Sequence, residues 1–279
     1  MFFGLKTNTF GQSSRFPLSY SDMSTLRQFG LIGYPLTHSF SKKYFTEKFE
    51  KENIPACTYE LFELPRIEDL PALLQNTAYL QGLNVTIPYK EQVLPYLDGI
   101  DDNAARIGAV NVIKISPEGK LYGYNSDCLG FQSSLSQWLQ AEGRSLQDLQ
   151  ALVLGTGGAA KAVKVALENL GIAYTEVSRQ ATAHCLSYEQ VNAEVLAAHR
   201  LLINTTPLGM APHSNQAVAL PWQYVGAEHY FYDLVYNPAL TASIQAAAAQ
   251  GAKVKNGLEM LHLQAEEAWA IWNAPFDIF

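Results

Sequence analysis

The sequence predicts an α/β protein, either one large domain or two moderate ones. Three observations carry that prediction. The chain has 279 residues, more than a typical single domain needs and enough to bury an extensive core without staples. Short apolar runs alternate with segments of helical period along most of its length, the pattern of a largely parallel sheet with helices on its faces. One glycine-rich turn, Gly155-Thr156-Gly157-Gly158-Ala159-Ala160, stands between such a run and such a segment, the place where α/β proteins hold phosphates.

The elements follow in order from Gln28. Phe29-Gly30-Leu31-Ile32-Gly33 is an apolar strand ending in glycine, and Lys43 to Asn53 reads as a helix with Tyr44, Phe45, Phe49 and Ile54 at core-facing spacing,. Cys57 to Phe62 is a strand, Ile67 to Gln75 a helix, and Leu80 to Val85 a strand. Val110–Ile115 and Leu121–Tyr124 flank Pro117-Glu118-Gly119, a hairpin signal,. A helix from about Leu129 to Gln140 leads to a second, more regular run. Its strands are Ala151–Leu154, Ala173–Val177, Leu201–Ile203 and Tyr230–Tyr232, with a helix at Ala160–Asn169. The last helix, about Leu258 to Trp272, carries an apolar stripe of Met260, Leu261, Ala265, Ala268 and Trp269.

Composition excludes several classes. The apolar fraction is 48% and the formal net charge −7, with Lys and Arg scattered. A nucleic-acid binder usually shows a basic stripe, so nucleic acid is not expected as a partner. No apolar run reaches the roughly 20 residues of a membrane span, so no membrane association is expected. Cys57, Cys128 and Cys185 have neither disulfide-framework nor zinc spacing and read as reduced thiols of a cytoplasmic protein with no metal,. Residues 1–22 lack periodicity and read as a disordered or over-long extension, with a transit peptide as the other reading; the folded chain is expected to begin near Met23,.

The glycine turn fits a dinucleotide site of Rossmann type. Read as G-x-G-x-x-A, it has Gly155 for the tight turn, Gly157 for approach to a pyrophosphate and Ala160 for close helix–strand packing,. The helix start then offers free N–H groups to the anion. At the end of the next strand, Ser178-Arg179 presents a hydroxyl and a guanidinium, suited to the 2′-phosphate of NADP,. Glu176, inside the strand, is the competing residue and would signify NAD. Arg179 as a merely solvated loop cation is the plainer reading.

Three polar clusters end strands of the first half: Thr37-His38-Ser39-Phe40-Ser41, Asn84-Val85-Thr86-Ile87-Pro88-Tyr89-Lys90, and Gly123-Tyr124-Asn125-Ser126-Asp127. Sites in open α/β sheets lie at such ends. Each cluster also has a plain structural reading: Ser39 and Ser41 as helix caps, Lys90 as an exposed helix start, Asp127 as an N-cap. Taken together they resemble the shikimate dehydrogenase family. The resemblance rests on Gly33-x-Pro35-Leu36-x-His38-Ser39-x-Ser41, Asn84-Val85-Thr86-x-Pro88-x-Lys90, Gly108-Ala109-Val110-Asn111 and Gly123-x-Asn125-Ser126-Asp127. It continues through the glycine turn, Asn204-Thr205-Thr206-Pro207-x-Gly209-Met210, Asp233-x-Val235-Tyr236-Asn237-Pro238 and Gly257-Leu258-x-Met260-Leu261-x-x-Gln264. It spans about Leu31 to Trp272.

The resemblance implies two α/β domains with the active site in the cleft between them. An open-sheet substrate domain would comprise residues 23–126 and 257–279, and a Rossmann-type NADP-binding domain residues 127–256. Lys90 and Asp127 would be the catalytic pair. Ser39, Ser41 and Thr86 would bind a substrate carboxylate beside Asn84; Asn111, Asp127 and Gln264 would bind ring hydroxyls, with Tyr236 closing the pocket. Gly155, Thr156, Gly157, Gly158, Ala159, Ser178, Arg179, Leu234 and Gly257 would line the NADP site, with Asp102 at another cofactor position. The implied reaction is reversible reduction of 3-dehydroshikimate to shikimate with NADPH, in aromatic amino-acid biosynthesis, by a monomer or homodimer. Lys90 is expected to act first as a positioned cation and proton donor.

The sequence departs from the family pattern at Lys42, where a proline usually stands, and at Cys128 and Glu259, where small residues do. A second cation after Arg179 is missing, since Ala181, Thr182 and Ala183 follow. Two alternatives therefore accompany the reading: a quinate/shikimate dehydrogenase using NAD, and a non-catalytic metabolite or nucleotide sensor on the same fold. Intact Lys90 and Asp127 speak against the sensor.

Overall fold

The structure, a computed structural model, describes residues 26–36 and 39–276. The N-terminal extension, and Thr37 and His38 of the first polar cluster, lie outside the described residues. Two six-stranded sheets organise the remainder. The first is built from β1 (Arg27–Gly33), α1 (Phe40–Lys51), β2 (Cys57–Glu63), α2 (Leu70–Asn76), β3 (Leu80–Val85), α3 (Tyr89–Gln92), β4 (Gly99–Ile100), α4 (Asp102–Ile107), β5 (Val112–Ile115) and β6 (Leu121–Tyr124). Its order is β2-β1-β3-β5-β6-β4. β1 pairs parallel with β2 and β3, while β5 runs antiparallel to both β3 and β6. The β5–β6 hairpin turns at the expected place, where Gly119 N–H donates to Ser116 O at 2.9 Å.

The second sheet is entirely parallel. It follows α5 (Ser126–Ala141) and contains β7 (Gln150–Leu154), α6 (Gly158–Asn169), β8 (Ala173–Ser178), β9 (Cys185–Ser187), α7 (Ala193–Ala198), β10 (Leu201–Asn204), β11 (Tyr230–Asp233), α8 (Ala242–Ala249) and β12 (Lys253–Asn256), with α9 (Leu258–Asn273) after it. The order β12-β11-β10-β7-β8-β9 reverses direction between β7 and β10. Such a switch point opens a crevice at the strand C-termini. β7 shows why the sheet carries helices on both faces. Ala151 and Val153 bury against α5 and α6, and Leu152 and Leu154 against the α7 and α8 side, as a period of two requires.

Two helices join the sheets. α9 buries Ala265, Ala268 and Trp272 among Phe29, Phe45 and Tyr59 on the first sheet, with Trp272 stacked 4.7 Å from Phe29. α5 buries Phe131, Leu135 and Leu139 on the second, with Phe131 5.1 Å from Tyr232. Phe131, Leu135 and Leu139 each contribute roughly 1.5–3 kcal/mol on burial. The helices meet at Gly130, where a Cβ would stand 2.8 Å from Gln264 N; only a residue without one admits that approach.

Several boundaries differ from expectation for local reasons. α1 begins at Phe40 because Ser39 caps it, its Oγ accepting from Lys42 N–H at 3.3 Å. α5 begins at Ser126 because Asn125, not Asp127, is the cap: Asn125 Oδ1 accepts from Cys128 N–H at 3.1 Å. The cap reading of Asp127 is thereby corrected, and its carboxylate is left for other work. The expected helix from Ile67 starts as a 3₁₀ turn before α2. Val110 and Asn111 precede β5 because Val110 N–H is drawn to Lys90 O at 2.8 Å. Among the described residues no helix is long and apolar enough to cross a membrane, and no cluster of metal-ligating side chains occurs.

Candidate active site

The C-terminal ends of β1, β3 and β6 deliver the three polar clusters to one place. β3 passes into Thr86, whose N–H donates to Ile32 O at 2.9 Å, and Tyr89 N–H returns to Thr86 O at 2.9 Å. Tyr89 is buried, its hydroxyl bonded to Leu64 O. These bonds and that from Val110 fix the short α3, on which Lys90 sits. β6 ends at the Asn125 cap, and the first turn of α5 carries Asp127. Lys90 Nζ lies 2.6 Å from Asp127 Oδ2, with the two side chains 33% and 26% exposed. The pair is sheltered yet reachable by a ligand.

Two cavities meet at this pair. The smaller, about 380 Å³, lies over the first sheet and is lined by Ser39, Ser41, Asn84, Thr86, Lys90, Asn111, Asp127 and Gln264, among others. Every substrate residue expected from the sequence except Tyr236 is there. The larger, about 630 Å³, lies between the sheets and shares Ile87, Lys90, Asp127, Leu261 and Gln264 with the first. Gly158, Ala159, Leu234, Tyr236 and Gly257 line it. A lobe of about 380 Å³ continues past Tyr236 to Thr205, Thr206 and Met210.

The polar groups of the smaller cavity are only partly committed to one another. Asn84 Oδ1 accepts from Tyr59 OH at 2.7 Å, and burial pushes the Tyr59 hydroxyl well above its usual range, so it stays a neutral donor. Asn111 Oδ1 accepts from Ser126 N–H at 2.7 Å, and Nδ2 donates to Ser126 Oγ at 3.1 Å. Gln264 Nε2 donates to Leu261 O at 3.0 Å, and Ser126 Oγ donates to Gln264 Oε1 at 3.3 Å. A carboxamide nitrogen has two N–H bonds, so Asn111 and Gln264 each keep one for a ligand. Lys90 likewise keeps two of its three, and Asp127 keeps Oδ1.

The glycine turn has the features a dinucleotide needs. Gly155 holds φ +110°, and a Cβ there would lie 2.7 Å from Thr205 Oγ1, so both conformation and space exclude a side chain. A Cβ on Gly157 or Gly158 would project into open space, leaving a cradle whose bare backbone a pyrophosphate can approach. Gly157 caps α6 without a side-chain bond, so the first-turn N–H groups remain for an anion. At the end of β8, Ser178 Oγ bonds within its own turn to Gln180, and Arg179 is exposed. Glu176 is engaged elsewhere: its carboxylate is 2.9 Å from Lys164 of α6 and 17% exposed. Gly155, Thr156, Gly157, Ser178 and Arg179 do not line the cavities. Neither does Asp102, which is exposed in the first turn of α4.

A family model described as the shikimate dehydrogenase substrate binding domain matches residues 31–113. A shikimate dehydrogenase (NADP(+)) of Carboxydothermus hydrogenoformans is 36% identical over 260 residues, covering 87% of this chain and 90% of that protein. This chain belongs to the shikimate dehydrogenase family. Among shikimate dehydrogenase structures, that of Thermus thermophilus in complex with NADP(H) and shikimate superposes with a TM-score of 0.74 at 33% identity. It covers 89% of this chain and 94% of that one. The Listeria monocytogenes shikimate dehydrogenase, solved with shikimate and NAD, gives 0.77 at 26% identity, covering 88% and 91%.

Two of the departures from the shikimate dehydrogenase pattern find local partners, and the third is buried. Lys42 supplies the N–H that caps on Ser39, and its ammonium pairs with Glu60 at 2.8 Å. Glu259 accepts from Ser134 at 2.6 Å and pairs with Lys255 at 2.7 Å. Cys128 is fully buried, and burial pushes its thiol up to about 12, which leaves it inert. Sequence reasoning did not single out Met260 and Leu261 as cavity walls. An apolar wall residue has the same pattern as a core residue, so periodicity alone cannot separate them.

Proposed function

We propose that this enzyme reduces 3-dehydroshikimate to shikimate with NADPH, reversibly, through Lys90 and Asp127. The observation that carries the reading is the 2.6 Å Lys90–Asp127 pair, which stands where the polar cavity and the dinucleotide cleft meet. When bound, the nicotinamide supplies the hydride that reaches the ketone carbon. Lys90 donates a hydrogen bond, then a proton, to the oxygen on which charge develops. Asp127 orients Lys90 through Oδ2 and accepts from a neighbouring ring hydroxyl through Oδ1. Ser39, Ser41 and Thr86 donate hydroxyl bonds to the ring carboxylate over the floor that Asn84 provides. The free N–H groups of Asn111 and Gln264 take ring hydroxyls. Tyr236, at the lip of the larger cavity, closes over the ring. Lys90 is exposed enough to recover its proton from water.

The cofactor is held by the backbone of Gly155–Ala159, walled by Leu234 and Gly257. Arg179, with Ser178, takes the 2′-phosphate; the engagement of Glu176 by Lys164 supports NADP over NAD. Asp102, in the first turn of α4, is a further cofactor-binding residue. The substrate domain comprises residues 23–126 and 257–279 and the cofactor domain residues 127–256, in a cytoplasmic monomer or homodimer. Oxidation of shikimate and of quinate, each with NADP and with NAD, tests the reading. Shikimate with NADP is expected to give the highest kcat/KM. Preference for quinate with NAD would replace it by the quinate dehydrogenase reading, and binding without turnover by the sensor reading.

A further inference from the structure

Two side chains outside the polar clusters meet at the edge of the larger cavity, which Glu91 lines. Lys161, on α6 one turn past Gly157, places Nζ 2.9 Å from Oε1 of Glu91. Glu91 follows Lys90 on α3 and lines the larger cavity together with Gly158 and Ala159. The far end of α6 is fastened to the same half of the molecule. There Arg106 of α4 donates to Glu168 at 2.5 Å and to Asn169 at 2.7 Å. That anchor fixes where the first turn of α6 stands relative to α3.

Side chains of a helix lean toward its N-terminus, so a Lys161 ammonium released from Glu91 can reach over the first turn of α6. The N–H groups of that turn lack a side-chain cap, and a pyrophosphate would approach them from the same side. The Glu91 carboxylate therefore occupies ground that a second anion needs. The pair is 43% and 60% exposed, and exposed pairs contribute little net stability, so this one is easily exchanged.

On the reading above that the enzyme uses NADPH, we propose that Lys161 is a shared cation. Glu91 holds it in the free enzyme, and the cofactor pyrophosphate takes it in the complex. Glu91 thus competes with the cofactor and weakens its binding. The competition does not involve the 2′-phosphate, so it acts on NADPH and NADH alike, unlike Arg179.

Dissociation constants of the full chain for NADPH and NADH, titrated by nicotinamide fluorescence, test this with Glu91→Gln, Lys161→Gln and the double variant. Lys161→Gln should weaken both cofactors and Glu91→Gln should tighten both, each by roughly two- to fivefold, the scale of an exposed charge pair. In the Lys161→Gln background, Glu91→Gln should have no further effect. Unchanged melting temperatures would establish that both variants fold. Weaker or unchanged binding by Glu91→Gln overturns the proposal, because a merely structural bridge cannot tighten binding when broken. Tightening that persists without Lys161 also overturns it, since that reports long-range repulsion alone, as does an effect confined to NADPH. A wild-type chain that binds neither cofactor would instead sink the NADPH reading on which the proposal rests.

Discussion

In the proposed mechanism, replacing Lys90 with alanine removes the proton donor and the cation at the developing alkoxide while leaving the rest of the pocket in place. A positioned general acid contributes at least about 10² in rate, which is about 2.7 kcal/mol of barrier at 1.36 kcal/mol per decade. The structure supports a figure of that size: Lys90 keeps two N–H bonds for the ketone oxygen beyond the one it gives Asp127, and hydrogen bonds from a charged group are each worth about 1.5–3 kcal/mol. KM for 3-dehydroshikimate should change by a smaller factor, because Ser39, Ser41, Thr86 and Gln264 line the pocket independently of Lys90. Stability should hardly change. The Lys90–Asp127 pair is partly exposed, such pairs contribute about 0–1 kcal/mol, and Tm should fall by no more than about 2–4 °C. Initial rates of NADPH consumption, with a thermal melt of the same sample, measure all three quantities. Turnover near that of wild type would remove Lys90 from the mechanism. A loss confined to KM would make it a binding residue only.

Arg179→Ala should lower kcat/KM for NADPH by roughly 10- to 150-fold, the loss of about 1.5–3 kcal/mol from a charged contact, and leave NADH kinetics unchanged; Glu176→Ala should leave the ratio unaltered, and a changed ratio would make Glu176 the ribose reader. Gly130→Ala should cost about 1–3 kcal/mol by overpacking and raise KM for the substrate, because the added methyl would press on Gln264 at 2.8–2.9 Å; an unaltered melt and KM would show that α5 and α9 can separate freely. For Glu266, burial alone would raise the carboxyl pKa, but hydrogen bonds from Lys48 and Tyr44 outweigh it and hold the value below the usual range. A depressed folded pKa gives stability above the ordinary carboxylate range and loses it as pH falls through the folded value. Glu266→Gln should therefore lower stability near neutrality by about 0.5–1 kcal/mol, the scale of a solvent-screened ion pair, with the gap to wild type closing below about pH 4; a gap independent of pH would contradict the charge assignment.

The strands that bear the site were legible because each is an apolar run ended by a polar cluster. Leu80–Val85 and Leu121–Tyr124 have the ends read from the sequence, and the glycine turn stands between β7 and α6 as its strand–turn–helix context required. The elements the sequence did not reveal are short or lack periodicity. α4 is six residues held by the Asp101 cap, α8 is eight residues of which five are alanine, and β9 and β12 are edge strands. Glu60 and Lys255 look like ordinary surface charges in the sequence, yet each pairs with a residue that departs from the family pattern. Lys48 is buried on the same helix face as Phe45 and Phe49, where its charge gives no hint of burial. Its side chain is 7% exposed and is held by Glu52 and Glu266, two carboxylates that periodicity cannot bring together. The same limit hid the Glu91–Lys161 bridge, whose partners are 70 positions apart. Long-range pairing of charges is set by how the two sheets face one another, and no local pattern encodes it.

In the proposed function the Lys90–Asp127 pair couples a ring-acid pocket to an NADPH cleft to carry out one reduction. The most direct test is the stoichiometry of that reaction: purified chain, 3-dehydroshikimate and NADPH, with NADPH loss followed by absorbance and shikimate quantified by NMR. One shikimate formed for each NADPH consumed, with Lys90→Ala at least about 10² slower, is the predicted result. Binding of both ligands without NADPH loss, or NADPH loss without shikimate, would contradict it.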